Sequence, residues 1–255
     1  MPAGVILGSA FGDGSGLGEL VPVDVPTRFG AVVLHRHVQS GGFVLFRHGA
    51  PHRHLPHQIP WRAHALALKA MGVHALLVTS SVGVLDPSVP MNAPHLVADL
   101  MMTSNQLGDG SPCTLWTEHH PEQGHLVLED GLFNGVLGDW LAGRVSIPTR
   151  RLVFAYVPGP RTKTRAENGA PRATGAEVNS MSVGPEVVLA NELEIPTVAL
   201  VTGHKASRDG GGGTQAEIAR SLDDARAANL QAIRVFLQDA PAVAFGNFIY
   251  RFGER

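Results

Sequence analysis

An arginine placed directly after a buried run is the strongest chemical signal in this chain. Residues 42–46 are mostly apolar and lead into Arg47-His48-Gly49. A guanidinium suits a core poorly and suits a two-pronged contact with phosphate well. The same pattern recurs: residues 4–7 lead into Gly8-Ser9-Ala10-Phe11-Gly12, and residues 74–78 into Thr79-Ser80-Ser81-Val82-Gly83. Residues 151–157 lead into Pro158-Gly159-Pro160-Arg161, and residues 197–201 into Thr202-Gly203-His204-Lys205. The turn at Gly8-Ser9 can aim a hydroxyl and backbone N–H groups at an anion. Ser80 and Ser81 add hydroxyls, and Ser182 precedes a helix whose N-terminus carries positive charge. One anion site follows if these strand ends converge; a surface arginine in a loop is the plainer reading of Arg47 taken alone. The first turn lacks the Gly-Lys-Ser/Thr ending of a P-loop, and no acidic strand end follows at dinucleotide spacing.

Thirteen histidines are unusual for the length. His52-Arg53-His54 and His119-His120 resemble ligand clusters, but neither has partners at a zinc spacing, so we expect no metal site and a solvated face. Cys113 is the only cysteine. It falls in a polar stretch, residues 108–121, that reads as a surface loop, and a reducing compartment is the simple inference. The N-terminus has no secretory pattern and no apolar run spans a bilayer, which predicts a cytoplasmic protein. A net charge of −2 and the absence of a basic stripe give nucleic-acid binding no electrostatic support.

The elements that position these residues form an α/β pattern. The short apolar runs read as buried strands. Residues 60–71 place Trp61, Ala65, Leu68 and Met71 at helical spacing, and residues 185–193 begin with a proline suited to a first helical turn. Residues 214–237 form the strongest helix, with Ile218, Leu222, Ala225, Ile233 and Leu237 on one stripe and a capping box from Thr214 to Glu217. Residues 210–213, a run of glycines, read as flexible. With 255 residues and 44% hydrophobic content, the chain predicts one domain over 1–255, a mixed twisted sheet covered by helices.

In order along the chain, the motifs resemble the family of trimeric purine nucleoside and methylthioadenosine phosphorylases. The matching pieces are Gly4-Val5-Ile6-Leu7-Gly8-Ser9, Phe46-Arg47-His48-Gly49 with His52 and Pro56, and Val78-Thr79-Ser80-Ser81-Val82-Gly83-Val84-Leu85. Gly159-Pro160-Arg161 with Arg165-Ala166-Glu167 follows, then the most specific piece, Met181-Ser182 with Pro185-Glu186-Val187-Val188-Leu189-Ala190. The resemblance implies a mixed α/β fold on a six-stranded type of sheet, a homotrimer, and phosphorolysis of a nucleoside with phosphate as co-substrate and no cofactor. It implies phosphate ligands at Ser9, Arg47, His48, Ser81 and Ser182, with Arg47, His48 and Ser182 catalytic. Ser80 and Met181 then face the ribose, His125 reaches a neighbour's 5′ pocket, and Glu186 is mainly structural. The base pocket falls on Val82, Gly83, Thr162, Lys163, Gly203, His204 and Lys205.

That pocket is where the chain departs from the family. Thr162 stands where the family has an aromatic residue over the base, Lys163 where it has glutamate or serine, and Gly203 where it has the asparagine or aspartate that bonds purine N7. A purine leaves by gaining a hydrogen bond or proton at N7. Lys163, His204 and Lys205 offer positive charge instead, which suits a base such as uracil that leaves as an anion, for instance from a 5′-modified uridine. The alternative is that these side chains point to solvent. Two other functions compete: a non-catalytic nucleoside-binding relative, for which a phosphate site is superfluous, and a water-using nucleosidase, which has no need of Arg47 together with Ser182.

Overall fold

The computed structural model describes residues 1–12, 14–207 and 214–252. The glycine run 210–213 lies outside the described residues. The strands are β1 (Ala3–Leu7), β2 (Leu20–Val25), β3 (Val32–His37), β4 (Phe43–Phe46), β5 (Ala75–Val84), β6 (Pro94–Met101), β7 (His125–Val127), β8 (Leu152–Tyr156), β9 (Val178–Ser180), β10 (Thr197–Ala206) and β11 (Phe248–Tyr250). The helices are α1 (Trp61–Ala70), α2 (Gly135–Ala142), α3 (Arg165–Ala173), α4 (Gly184–Glu192) and α5 (Gln215–Asp239).

The first nine numbered strands other than β7, together with β10, form a mixed sheet in the order β10-β6-β8-β9-β5-β1-β4-β3-β2. It has nine strands where the resemblance implied six, because the antiparallel β2–β3 hairpin extends one edge and the short β9 fits between β8 and β5. β10 also pairs in parallel with β5, so β5, β10, β6, β8 and β9 close on themselves as a small barrel. Alternation along β1 explains the layers. Ile6 points into one core with Leu34, Leu45, Leu68 and Val187, while Val5 and Leu7 point into another with Leu77, Leu141, Ile233 and Phe236. Helices α1 and α4 thus cover one face, and α2 and α5 the other.

Several expectations hold at these elements. Thr214 caps α5: its hydroxyl accepts from Glu217 N at 3.3 Å, and Glu217 Oε2 accepts from Thr214 N at 2.7 Å. Ala225, Ile233 and Leu237 are buried, but Ile218 and Leu222 only half so. Two corrections concern extent and depth. Thr79 to Gly83 and Thr202 to Lys205 are not turns after strands but the second halves of β5 and β10, since barrel closure keeps the two strands paired as far as Val84 and Ala206. Cys113 is not on the surface: it is 1% exposed, packed with Ile59, Trp61, Leu115 and Leu189. Its loop is folded down by Arg62, which donates to the carbonyls of Thr114 and Pro112, and burial pushes the Cys113 thiol up to about 12.

Candidate functional site

The parallel strands β1, β4 and β5 end at one cavity of about 330 Å³. Ser9, in a single 3₁₀ turn after β1, lines it with Arg47 and His48 from the end of β4. Ser80 and Ser81 come from β5, and Met181 and Ser182 from the connection between β9 and α4. The expected phosphate and ribose residues, other than His125, therefore share one space.

Arg47 is only 1% exposed, among the largest fully buried side chains of the protein. Its Nε donates to Glu186 Oε1 at 2.5 Å and its Nη2 to the Thr79 carbonyl at 2.8 Å. Nη1 runs beside Gly8, where a Cβ would come within 2.9 Å of it, so glycine makes room for the guanidinium. Among the described residues Nη1 has no acceptor, and it is the edge of the fork left for the cavity. Glu186 also accepts from Val183 N at 2.5 Å with its other oxygen. It thereby ties Arg47 to the first turn of α4. Val183 itself sits at φ 72 although it is β-branched and fully buried. Such a conformation persists only where its surroundings impose it, and it lies directly after Ser182.

His48 Nδ1 lies 2.8 Å from the His54 carbonyl, which can only accept, so Nδ1 carries a proton. Burial first, and the Arg47 charge second, lower the His48 pKa to about 4. The ring is thus neutral at pH 7 and its Nε2 is an acceptor. His52 stacks on it at 4.2 Å between centroids. Ser182 Oγ is 3.0 Å from Ser80 Oγ and 3.2 Å from Ser180 Oγ, a hydroxyl cluster at the cavity wall. Ser180 was not singled out from the sequence, and its only signal was its position two residues before Ser182.

The cavity continues along β5. From Ser80 to Gly83 is three residues, about 10 Å of strand, and there the lining changes to Thr162, Lys163, His204, Lys205 and Ser207. Adding a Cβ at Gly83 would strike the Ser207 side chain and come within 2.8 Å of Asn179 Oδ1. A buried amide pair, Asn179 Nδ2 to Asn168 Oδ1 at 2.9 Å, supports this floor, and Asn168 Nδ2 donates to the Ser207 carbonyl at 2.5 Å. Sequence reading passed over Asn168, Asn179 and Ser207, none of which stands out by type. Lys163 immediately precedes Thr164, the cap of α3. Thr164 and Glu167 bond reciprocally at 2.8 and 3.2 Å, and Arg161 clamps Glu167 with two nitrogens at 2.8 and 2.7 Å. Burial, then the Lys205 charge, brings the Lys163 pKa down to about 8; burial also lowers Lys205, and brings His204 down to about 4.

Three expected base-pocket or sugar residues lie elsewhere. Val82 is 1% exposed and packs in the core, since it alternates away from Ser81 and Gly83. Gly203 does not open on the cavity: a Cβ there would meet Val84 Cγ2 at 2.5 Å. The register of β10 against β5 skips between Gly203 and Lys205, and this bulge turns both His204 and Lys205 toward the cavity. His125, on β7, instead borders a second hollow of about 600 Å³, with Trp116, Leu126 and Phe252 among its walls. Among the described residues no group of three or more His, Cys, Asp or Glu is placed to hold a metal.

This combination of a mixed, partly closed α/β sheet and a cavity lined by hydroxyls and cations has known counterparts. The phosphorylase superfamily is matched over residues 2–238, and the chain belongs to it. It is 31% identical over 195 residues to a probable S-methyl-5′-thioinosine phosphorylase of Pseudomonas syringae, covering 72% of this chain and 76% of that one. It is 31% identical over 218 residues to a probable 6-oxopurine nucleoside phosphorylase of Thermococcus kodakarensis, covering 79% of each. Among solved structures, methylthioadenosine phosphorylase from Schistosoma mansoni in complex with adenine superposes with a TM-score of 0.79 at 19% identity, over 93% of this chain and 91% of that one.

Proposed function

We infer that the chain is a nucleoside phosphorylase, a pentosyltransferase that cleaves an N-glycosidic bond with phosphate to give a pentose 1-phosphate and a free base. The observation that carries the phosphate assignment is Arg47, buried and clamped by Glu186 with Nη1 free of acceptors among the described residues, beside the Ser80–Ser180–Ser182 hydroxyls. Phosphate sits against Arg47, Ser9, Ser81 and Ser182, and His48 Nε2 accepts the remaining hydrogen of the monohydrogen form. A phosphate oxygen bonds to C1′ as the C1′–N bond breaks, and the bonding pair leaves with the base. The sugar develops oxocarbenium character next to the phosphate, whose charge stabilises it. Ser80 and Met181 hold the ribose. Phosphate is a co-substrate, and the reaction as written uses no further cofactor.

At the base end we place Gly83, Thr162, Lys163, His204 and Lys205. Their charge favours a base that leaves as an anion, as uracil does from a 5′-modified uridine, over a purine that waits for a donor at N7. A homotrimer fits the exposed apolar residues Leu128, Phe248, Tyr250 and Phe252 around β7 and β11, which border or adjoin the second hollow that His125 lines. Among the described residues no helix is long and apolar enough to cross a membrane, and we place this one-domain enzyme in the cytoplasm.

The test is a screen of nucleosides with and without phosphate. Release of pentose 1-phosphate is expected. Free pentose formed without phosphate is the nucleosidase outcome, and binding without any release is that of a non-catalytic relative; either overturns the assignment. Light scattering at micromolar concentration checks the trimer, which a fully active monomer would rule out.

A further inference from the structure

The cations lining the cavity are Arg47, Lys163 and Lys205, and no carboxylate lines it among the described residues. Arg47 has its counter-charge in Glu186. Lys163 and Lys205 have none in contact: among the described residues neither ammonium has an ion-pair or hydrogen-bond partner, and Glu167, which acts on Lys163 from a distance, is already clamped by Arg161. Each is half-buried, and each carries its charge into the same end of the cavity. Beside them, His204 Nδ1 is buried with no hydrogen-bond partner among the described residues.

Such an arrangement is costly in itself. Two like charges that are partly desolvated repel each other, and each has given up some hydration without gaining a partner. A neutral base does not relieve this, because its carbonyl dipoles compensate one ammonium at best. An anionic ring does, since two ammoniums and an imidazole nitrogen can share one delocalised charge. The neighbouring side chains limit where that charge comes from. The proposed phosphate site is about 10 Å away along β5, at the Arg47 end, and the Asn179 amide donates to Asn168, whose own amide donates to the Ser207 carbonyl.

On the phosphorolysis reading above, we propose that the base end takes nucleosides whose base is already an anion near neutral pH, through a ring carboxylate or an acidic ring N–H, with Lys163 and Lys205 as the specificity-determining pair. Charge that a uridine-type base acquires only as its bond breaks is then present in the ground state as well. Binding of the substrate and departure of the base draw on the same two lysines. Uridine-type nucleosides remain substrates, but weaker ones. Purine nucleosides that are neutral at pH 7 gain least.

The probes are orotidine and xanthosine as acidic nucleosides, and uridine and inosine as neutral ones, assayed with the wild-type enzyme at fixed inorganic phosphate. The expected result is a kcat/KM for the acidic pair at least tenfold above that for the neutral pair. Lys163→Ala should lower kcat/KM for the acidic pair by more than tenfold and for uridine by clearly less, and Lys163→Arg should restore part of it. Equal losses for acidic and neutral nucleosides overturn the proposal. So does a raised KM for phosphate with nucleoside KM unchanged, which would assign the lysines to the co-substrate. If no nucleoside yields sugar 1-phosphate, the phosphorolysis reading falls, and free bases still decide the lysine pair. Orotate and xanthine should raise the wild-type melting temperature more than uracil and hypoxanthine do, and the reverse order overturns the pair's role.

Discussion

Arg47 and Lys163 line the same cavity, yet Arg47 is in direct contact with its counter-charge and Lys163, among the described residues, has no ion pair of its own. The Arg47 end is prepared in advance. Glu186 and the Thr79 carbonyl hold two edges of the guanidinium, and the same glutamate fixes the backbone that presents Ser182. The end lined by Lys163, His204 and Lys205 is held by backbone devices, a capped helix and a bulge, and among the described residues its two ammonium groups have no ion pair. Phosphate is a constant of the reaction, so its site can be rigid and electrically complete without it. A leaving group is the variable part, and an unneutralised site gains the most from the one ligand that supplies the missing charge.

The largest effect comes from breaking the prepared end. Glu186→Ala leaves Arg47 charged, buried and unpaired, which should cost about 3–5 kcal/mol of stability and raise the KM for phosphate as the guanidinium loses its orientation. Urea unfolding and phosphate titration measure both. An unchanged unfolding midpoint would mean that the Arg47–Glu186 pair does not hold this end together. Replacing both residues by apolar ones of similar size should cost less stability than Glu186→Ala, because no lone charge remains.

The second effect sharpens the contrast by substrate. Inosine, guanosine and methylthioadenosine should be turned over roughly two orders of magnitude more slowly than uridine-type nucleosides at equal phosphate, the usual loss when a transition-state hydrogen bond is missing. On the proposed placement of the base, Thr162 leaves no stacking wall and Lys163 offers no acceptor. Comparable rates for the two groups would show that the base end has been misread.

The smallest effect is in the pH profile. Lys163 is a cation below about 8, and its charged neighbours are Lys205 from β10 and Arg161 and Glu167 from its own loop and helix, with His204 beside it neutral. Turnover of substrates with an anionic leaving base should therefore decline by a few-fold as pH rises through about 8, and Lys163→Ala should abolish that limb. With the His48 pKa lowered to about 4, no inflection from this residue is expected between pH 5 and 8. A limb near 6.5 that disappears in His48→Ala would contradict the neutral tautomer.

The sequence by itself determined the parts of the protein that local rules govern. Apolar β-branched runs end where polar ligands begin, so Ser9 and Arg47 were legible as strand-end groups, whereas Ser80 lies within β5 rather than after it. Thr214 and Glu217 spelled a helix start, and Pro185 fitted a first turn. The order of these pieces was enough for the family. Tertiary structure alone decided what depends on residues far apart in the chain or on a break in alternation. Glu186 reaches Arg47 across 139 positions, which no spacing announces. Cys113 sits in a polar stretch and is buried because Arg62, from another element, folds its loop onto the core. A strand of regular period would have turned only one of His204 and Lys205 inward, and the bulge after Gly203 sends both into the cavity while the glycine itself stays out. Local sequence fixes dihedral preferences and capping. The register of β10 against β5, and with it the charge of the base end, is set by closure of the barrel.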